Sequence, residues 1–446
     1  MFTRLLWNLF TWALPAGLLG MALLIRNPLC FKVRYLLLYL ICQAAVFTVP
    51  GLLRRLGAGS GRWRRLGTAL KAAVILAAAS LAVGQELDYQ LLRARVLGTS
   101  AQTLRQVGAH LVVGYRDLDE LQELVRRDAV AGVFITARNV RGRPLVQVRQ
   151  ELDELQRIRR ARGLPPLIVA ADQEGGEVSR LTPPLPPMAA LSSLTEGDQG
   201  TLEQRVGAYA ESKARWLSYL GVNVNLGPVV DLRRMLAASQ GLDLYSRIWE
   251  RAISGDPEEV SRVARVYSET LWAHGVRPTL KHFPGLGRVP QDTHLYTARL
   301  DTPLAELERS DWLPFRRVVG AVPALIMLGH VQLTALDPRY PVSSSRLVVQ
   351  GVLRERWGFS GLLITDDFCM IPAWRGLGGI GPSAVRALRA GVDLLLVTAD
   401  EQQVFPVLEA LMKARERGEL PPADEAYARL WSSNRPPSLA LSSPPK

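Results

Sequence analysis

Four places in the chain set charged or titratable residues at the end of a short apolar run. They are Asp172 after Leu167–Ala171, Lys281 with His282 in the run from Arg277, His330 after Ala324–Gly329, and Asp366 with Asp367 after Gly361–Thr365. Carboxylates, an ammonium and imidazoles are groups that hold polar ligands and exchange protons, and burying them without partners is costly. Their recurrence at the same end of several apolar runs points to one shared polar mouth. Each alone reads equally well as a helix N-cap or a turn residue. Asp366 and Asp367 cannot play the same part, because successive strand side chains point to opposite faces. The five histidines, His110, His274, His282, His294 and His330, show no metal-ligand spacing. No metal and no cofactor are expected.

The elements that must position these residues follow a beat of eight. From about Leu97 short apolar runs alternate with longer amphipathic stretches, the pattern of β/α units around a parallel sheet. The expected strands are His110–Tyr115, Gly132–Thr136, Leu167–Asp172, Val222–Pro228, Arg277–Gly285, Ala324–His330, Gly361–Asp367 and Asp393–Asp400. The clearest helix is Asp256 to Gly275, with Pro257 in its first turn, Glu258 and Glu259 behind it, and Val260, Val263, Val266 and Tyr267 at helical spacing. Eight such units predict an α/β fold, a single (β/α)8 TIM-type barrel over residues 97–431, with catalytic residues at the C-terminal strand ends. An open doubly wound sheet would want a Gly-rich phosphate turn after an early strand, and the sequence has none.

Residues 1–96 have another character. Three apolar stretches, about 5–25, 35–53 and 67–85, predict three transmembrane helices, since at about 1.5 Å per residue each approaches the roughly 30 Å of a bilayer core. A signal peptide would supply only one such stretch. The formal net charge of +13 suggests a nucleic-acid partner until it is located: ten Lys and Arg precede the first acid, Glu86, so only +3 belongs to the remainder. Five arginines and Lys71 lie between Arg54 and Lys71, against three cations between the first and second spans. Cytoplasmic loops are enriched in Lys and Arg, so the barrel is expected on the extracytoplasmic side of the cytoplasmic membrane, with the lipid bilayer as a partner and no nucleic acid. Of three cysteines only Cys369 follows the spans, so no disulfide forms within the barrel. The Ser- and Pro-rich tail 432–446 is expected to be disordered.

Several segments carry a family resemblance. Ala171–Arg180 reads A-D-Q-E-G-G-E-V-S-R, Gly221–Leu232 reads G-V-N-V-N-L-G-P-V-V-D-L, Lys281–His294 reads K-H-F-P-G-L-G-R-V-P-Q-D-T-H, and Gly361–Met370 reads G-L-L-I-T-D-D-F-C-M. Together with weaker agreement at 137–139, 250–257 and 329–338, they resemble the glycoside hydrolase family 3 β-N-acetylglucosaminidases that trim peptidoglycan fragments, over about residues 100–430. The resemblance implies a retaining glycosidase working through a covalent glycosyl-enzyme on an N-acetylglucosamine-containing glycan. It implies Asp366 as nucleophile, His294 as acid/base and Asp292 as the carboxylate that fixes its tautomer, and Asp172, Arg180, Arg251, Lys281 and His282 as residues that hold the sugar. An imidazole suits the acid/base part because it titrates near neutrality. Glu177 stands where the family commonly has Arg, Leu286 replaces a His, and Thr365 and Phe368 replace Ser and Leu around the nucleophile. These departures bear on substrate detail and remove no proton-transfer group. The alternatives are a β-glucosidase of the same family, whose acid/base comes from an additional domain, and a non-catalytic glycan-sensing membrane protein, which would need no proton shuttle.

Overall fold

The computed structural model describes residues 2–57, 61–196, 200–234, 245–375, 377–422, 429 and 445, with side chains from residue 11 onward. The chain divides into two units, Met1–Gly98 and Thr99–Lys446. The expected tail 432–446 lies, apart from Pro445, outside the described residues.

The first unit is three helices, α1 (Phe2–Leu24), α2 (Arg34–Gly57) and α3 (Arg62–Gly98). Their shared interior is built from Ala22, Ala45, Ala72, Ala78 and Ala82 with Leu18, Ile25, Ile41, Val49 and Ile75. Larger apolar side chains such as Leu36, Leu40, Phe47, Leu70 and Leu76 face outward. The interior thus mixes alanines with larger aliphatic side chains, while further large apolar side chains remain exposed on the outside of the helices. Two helices, Arg34–Leu56 and Arg62–Gly98, are long and apolar enough to cross a membrane. In α1 the apolar stretch with described side chains, Thr11–Leu24, is shorter, so two of the three expected spans have the length. The helix that contains the third expected span, 67–85, runs further at both ends. The helix continues through Gln85 to Gly98 because no proline interrupts it and its polar continuation finds partners: Glu86 pairs with Arg26, whose guanidinium lies 4.2 Å from the Tyr89 ring centroid. Lys71 donates to Thr11 Oγ1 at 2.5 Å and lies 5.3 Å from the Trp12 ring centroid.

The second unit is built on eight parallel strands that close on themselves in sequence order. They are β1 (Leu111–Gly114), β2 (Gly132–Ile135), β3 (Ile168–Ala171), β4 (Val224–Asn225), β5 (Arg277–Phe283), β6 (Leu325–Leu328), β7 (Leu363–Asp367) and β8 (Leu394–Val397). All eight fall inside the apolar runs expected to form them. Alternate side chains fill the barrel, among them Val112, Phe134, Ile168, Val224, Leu325, Met327, Ile364 and Leu396. The helix expected at Asp256–Gly275 runs from Pro257 to Ala273 and is capped by the Asp256 side chain, which accepts from the Glu258 amide at 3.0 Å.

Two strands depart from regular pairing where the polar residues lie. The β5–β6 register shifts between Leu280 and Phe283, and the β7–β8 register shifts between Ile364 and Asp367. Such irregularities re-aim side chains that strict alternation would send to opposite faces. Lys281, His282 and Asp366 all sit in these shifts.

The turn after β5 is tight. A Cβ on Gly287 would fall 1.9 Å from the Leu232 carbonyl oxygen, which is backbone and cannot swing aside. Gly287→Ala should therefore destabilise the barrel by about 1–3 kcal/mol, read as a lower midpoint in denaturant unfolding with an unchanged slope.

Candidate active site

Asp172 follows β3, and the chain then folds back in a hairpin of Gln173–Gly175 and Val178–Ser179, closed by the Arg180 amide donating to the Asp172 carbonyl at 3.1 Å. Gly175 makes the hairpin possible: its φ is 103°, and a Cβ there would lie 2.1 Å from the Tyr209 hydroxyl. The hairpin delivers Glu174 inward. Lys281 Nζ, from β5, lies 2.5 Å from Asp172 Oδ1 and 2.5 Å from Glu174 Oε1. Arg251 clamps the same Glu174 with two bonds, Nε to Oε2 at 3.0 Å and Nη2 to Oε1 at 2.7 Å, and donates a third to the Ser246 carbonyl at 2.7 Å. Two carboxylates and two cations thus form one buried network across β3, the hairpin, β5 and the 245–251 loop.

The network sets its own ionisation. Burial would raise the Glu174 carboxyl, but Arg251 and Lys281 outweigh it and hold it well below the usual carboxylate range. Burial, helped by the Glu174 charge, pushes the Asp172 carboxyl up against the pull of Lys281. Beneath the hairpin Lys213 donates to the Glu174 carbonyl and, at 3.1 Å, to the Tyr209 hydroxyl. Burial drives this ammonium down to about 7.

His282 is held by Asp231, which is fully buried at the end of the segment after β4. Its Nδ1 lies 2.7 Å from Asp231 Oδ2, and Asp231 also accepts from the His282 amide at 3.1 Å and the Leu286 amide at 2.7 Å. A carboxylate only accepts, so the proton is on Nδ1. Asp366, on β7, faces the imidazoles of His282, His330 and His294. Burial alone would raise its carboxyl, but the three rings together with the Asp367 amide outweigh burial and hold it below the ordinary value. Its neighbour Asp367 turns away and accepts from the Cys369, Thr398 and Ala399 amides at 3.0, 3.1 and 2.9 Å and from the Thr398 hydroxyl at 2.6 Å. His330 is fully buried, its Nε2 donating to the Asp367 carbonyl at 3.1 Å and its Nδ1 accepting from Ser343 Oγ at 2.7 Å.

The loop after β5 carries Asp292 and His294. His294 Nδ1 lies 3.1 Å from Asp292 Oδ1, and the His294 amide donates to the same oxygen at 2.9 Å. Asp292 also accepts from the Tyr245 amide at 2.8 Å and from Ser246 Oγ at 3.1 Å. Burial would raise the Asp292 carboxyl, but the bonds from His294 and Tyr245 outweigh it and bring it down to about 2. With Nδ1 anchored, Nε2 of His294 makes no hydrogen bond among the described residues, and the side chain is 40% exposed beside a dyad partner that is fully buried. The His294 carbonyl accepts from the Ile371 amide at 3.1 Å, tying this loop to the segment that leaves β7.

Residues 97–432 match the glycosyl hydrolase family 3 N terminal domain. The chain belongs to that family. It is similar to the β-hexosaminidase of Xylella fastidiosa (strain 9a5c), with 34% identity over 289 residues, 64% of this chain and 80% of that protein. Among solved structures it resembles the glycoside hydrolase family 3 β-N-acetylglucosaminidase from Paenibacillus sp. str. FPU-7 at a TM-score of 0.64 and 28% identity, over 73% of this chain and 61% of that longer one. It also resembles NagZ from Neisseria gonorrhoeae, solved in complex with N-trifluoroacetyl-D-glucosamine, at a TM-score of 0.62 and 26% identity, over 74% of this chain and 90% of that one. The protein is therefore a glycoside hydrolase.

Within the family 3 barrel, seven of the eight residues singled out from sequence, Asp172, Arg251, Lys281, His282, Asp292, His294 and Asp366, take part in these arrangements. The Arg180 guanidinium makes no hydrogen bond among the described residues, and only its backbone joins the mouth. Sequence reasoning did not single out Glu174, Lys213, Asp231 and Ser246. Glu174 and Asp231 lay in recognised segments, and their charge in an apolar context was the available signal. Removing Asp231 leaves the His282 ring and two amides without their acceptor. Asp231→Ala should cost about 3–5 kcal/mol, as for other broken buried ionic pairs, and Asp231→Asn clearly less, both measured as unfolding free energies in denaturant.

Proposed function

We propose that this family 3 enzyme is a retaining β-N-acetylhexosaminidase that releases β-linked N-acetylglucosamine from peptidoglycan-type glycans. The observation that carries the reading is the His294–Asp292 pair: an imidazole anchored through Nδ1, with Nε2 uncommitted, on a loop tied to the strand of Asp366. In the first step the Asp366 carboxylate attacks the anomeric carbon while His294, as imidazolium, passes its Nε2 proton to the departing glycosidic oxygen. In the second, neutral His294 takes a proton from water, the water oxygen attacks the anomeric carbon, and the Asp366 carboxylate leaves. Two displacements on one carbon restore its configuration. Asp292 sustains the imidazolium and fixes its tautomer. Asp172, Lys281, His282, Arg251 and Arg180 hold the sugar through its hydroxyls and acetamido group, the Arg180 guanidinium making no hydrogen bond among the described residues. The names of the relatives supply the acetamido sugar as substrate class, and the chain's own anchor supplies the cell-wall glycan as the polymer within reach.

The variant His294→Ala should slow aryl N-acetylglucosaminides with poor leaving groups about 10²–10⁴-fold, the usual worth of a positioned general acid, and activated nitrophenyl glycosides far less. Equal losses across the series would overturn the acid/base role.

The same proposal takes the three N-terminal helices as spans, with the barrel outside the cytoplasm. The large apolar side chains exposed on the helix unit and the Arg54–Lys71 cations support it. Reporter fusions after Gly98 should give active alkaline phosphatase and a dark cytoplasmic fluorescent protein, and the reverse pattern would overturn the topology.

A further inference from the structure

Among the described residues of the barrel unit, five large apolar side chains are exposed: Val146, Tyr245, Trp249, Tyr296 and Leu347. The three aromatic ones all belong to the loops that hold the acid/base pair. Tyr245 is 63% exposed, Trp249 51% and Tyr296 53%. The backbones of two of them are fixed by the dyad itself, the Tyr245 amide donating to the Asp292 carboxylate at 2.8 Å and the Tyr296 amide to the Asp292 carbonyl at 3.0 Å. The Tyr245 ring centroid lies 6.1 Å from that of His294. Trp249 stands on the short helix Ile248–Arg251, whose last residue clamps Glu174 in the mouth. Arg247, next to it, bonds Glu177 of the hairpin at 3.0 Å and pairs with Glu250. A cavity of about 180 Å³ opens between hairpin and loop, with Glu174, Glu177, Glu250 and Arg251 in its wall, so mouth and rim are continuous.

The reaction geometry says what these rings would meet. The group that protonates the glycosidic oxygen faces the departing part of the substrate, so side chains beside His294 border the aglycone and not the sugar in the mouth. A pyranose ring presents an apolar C–H face and a rim of hydroxyls. Tyr and Trp offer broad apolar faces at low conformational cost, and Arg247, Glu177 and Glu250 supply donors and acceptors at the same rim.

We propose that Tyr245, Trp249 and Tyr296 form a stacking platform for the aglycone sugar, which makes an extended β-linked amino-sugar glycan the preferred substrate over small N-acetylglucosaminides. This rests on the glycosidase reading above. The test uses the full chain purified in detergent and compares kcat/KM for tri-N-acetylchitotriose with that for methyl β-N-acetylglucosaminide. Both have alkoxide leaving groups that need the acid, and the methyl group has no face to stack. Trp249→Ala and Tyr296→Ala should each lower the trisaccharide-to-methyl ratio roughly tenfold, about the worth of one well-packed aromatic contact, and Trp249→Phe should keep most of it. Because the methyl glycoside is the internal reference, a general loss of folded enzyme leaves the ratio unmoved. An unchanged ratio in both Ala variants, with wild type active on both substrates, would overturn the platform and leave the glycosidase reading standing. A wild type inactive on both would overturn that reading and the platform with it.

Discussion

The mouth of this barrel depends on one constraint: Glu174 is a carboxylate buried with two cations, Arg251 and Lys281, and it stays ionised there because they outweigh the cost of its burial. Removing ions from water costs several kcal/mol apiece, and mutual attraction repays it only with close geometry and satisfied hydrogen bonds. Glu174 is the centre of that geometry. It takes two bonds from Arg251 and one from Lys281 while its backbone carbonyl is held by Lys213. Because Asp172, Glu174, Lys281 and Arg251 come from the end of β3, its hairpin, β5 and the 245–251 loop, satisfying the charges fixes those segments to one another.

That fixing passes outward to the Asp292–His294 pair. Arg251 donates to the Ser246 carbonyl, and Ser246 bonds Asp292 while its amide neighbour Tyr245 bonds the other Asp292 oxygen. The position of the Asp292–His294 dyad is therefore set from the mouth network through a single loop. Lys281 and Arg251 are committed to Asp172 and Glu174, and the groups that hold the Asp366 carboxyl below its ordinary value against burial are the nearby imidazoles and the Asp367 amide.

Much of this was legible in the sequence, for physical reasons that can be stated. The strands were readable because each is buried on both faces and so forms a continuous apolar run, and the polar residues at their ends stood out against it. What was not legible acts through other residues. Among the described residues the Asp231 carboxylate hydrogen-bonds only the His282 ring and two amides, and Ser246 lies in an irregular loop whose path no periodicity predicts. The length of α3 was missed because the end of its apolar stretch was taken for the end of the helix, whereas Arg26 and Tyr89 give the polar continuation a reason to stay helical.

Alternation was a correct premise for Asp366 and Asp367 but an incomplete one. It separates the two side chains without saying which enters the mouth, and the β7–β8 register shift between Ile364 and Asp367 breaks the count on that edge. The hydrogen bonds decide it instead. Asp367 accepts four bonds from Cys369, Thr398 and Ala399, which join the end of β7 to the end of β8 and leave its carboxylate little capacity for a ligand. Among the described residues the Asp366 carboxylate receives one hydrogen bond, from the Asp367 amide at 2.8 Å, and it lies near three imidazoles. A carboxylate so lightly bonded keeps its lone pairs available, while its neighbour's four bonds fix the strand end that presents it.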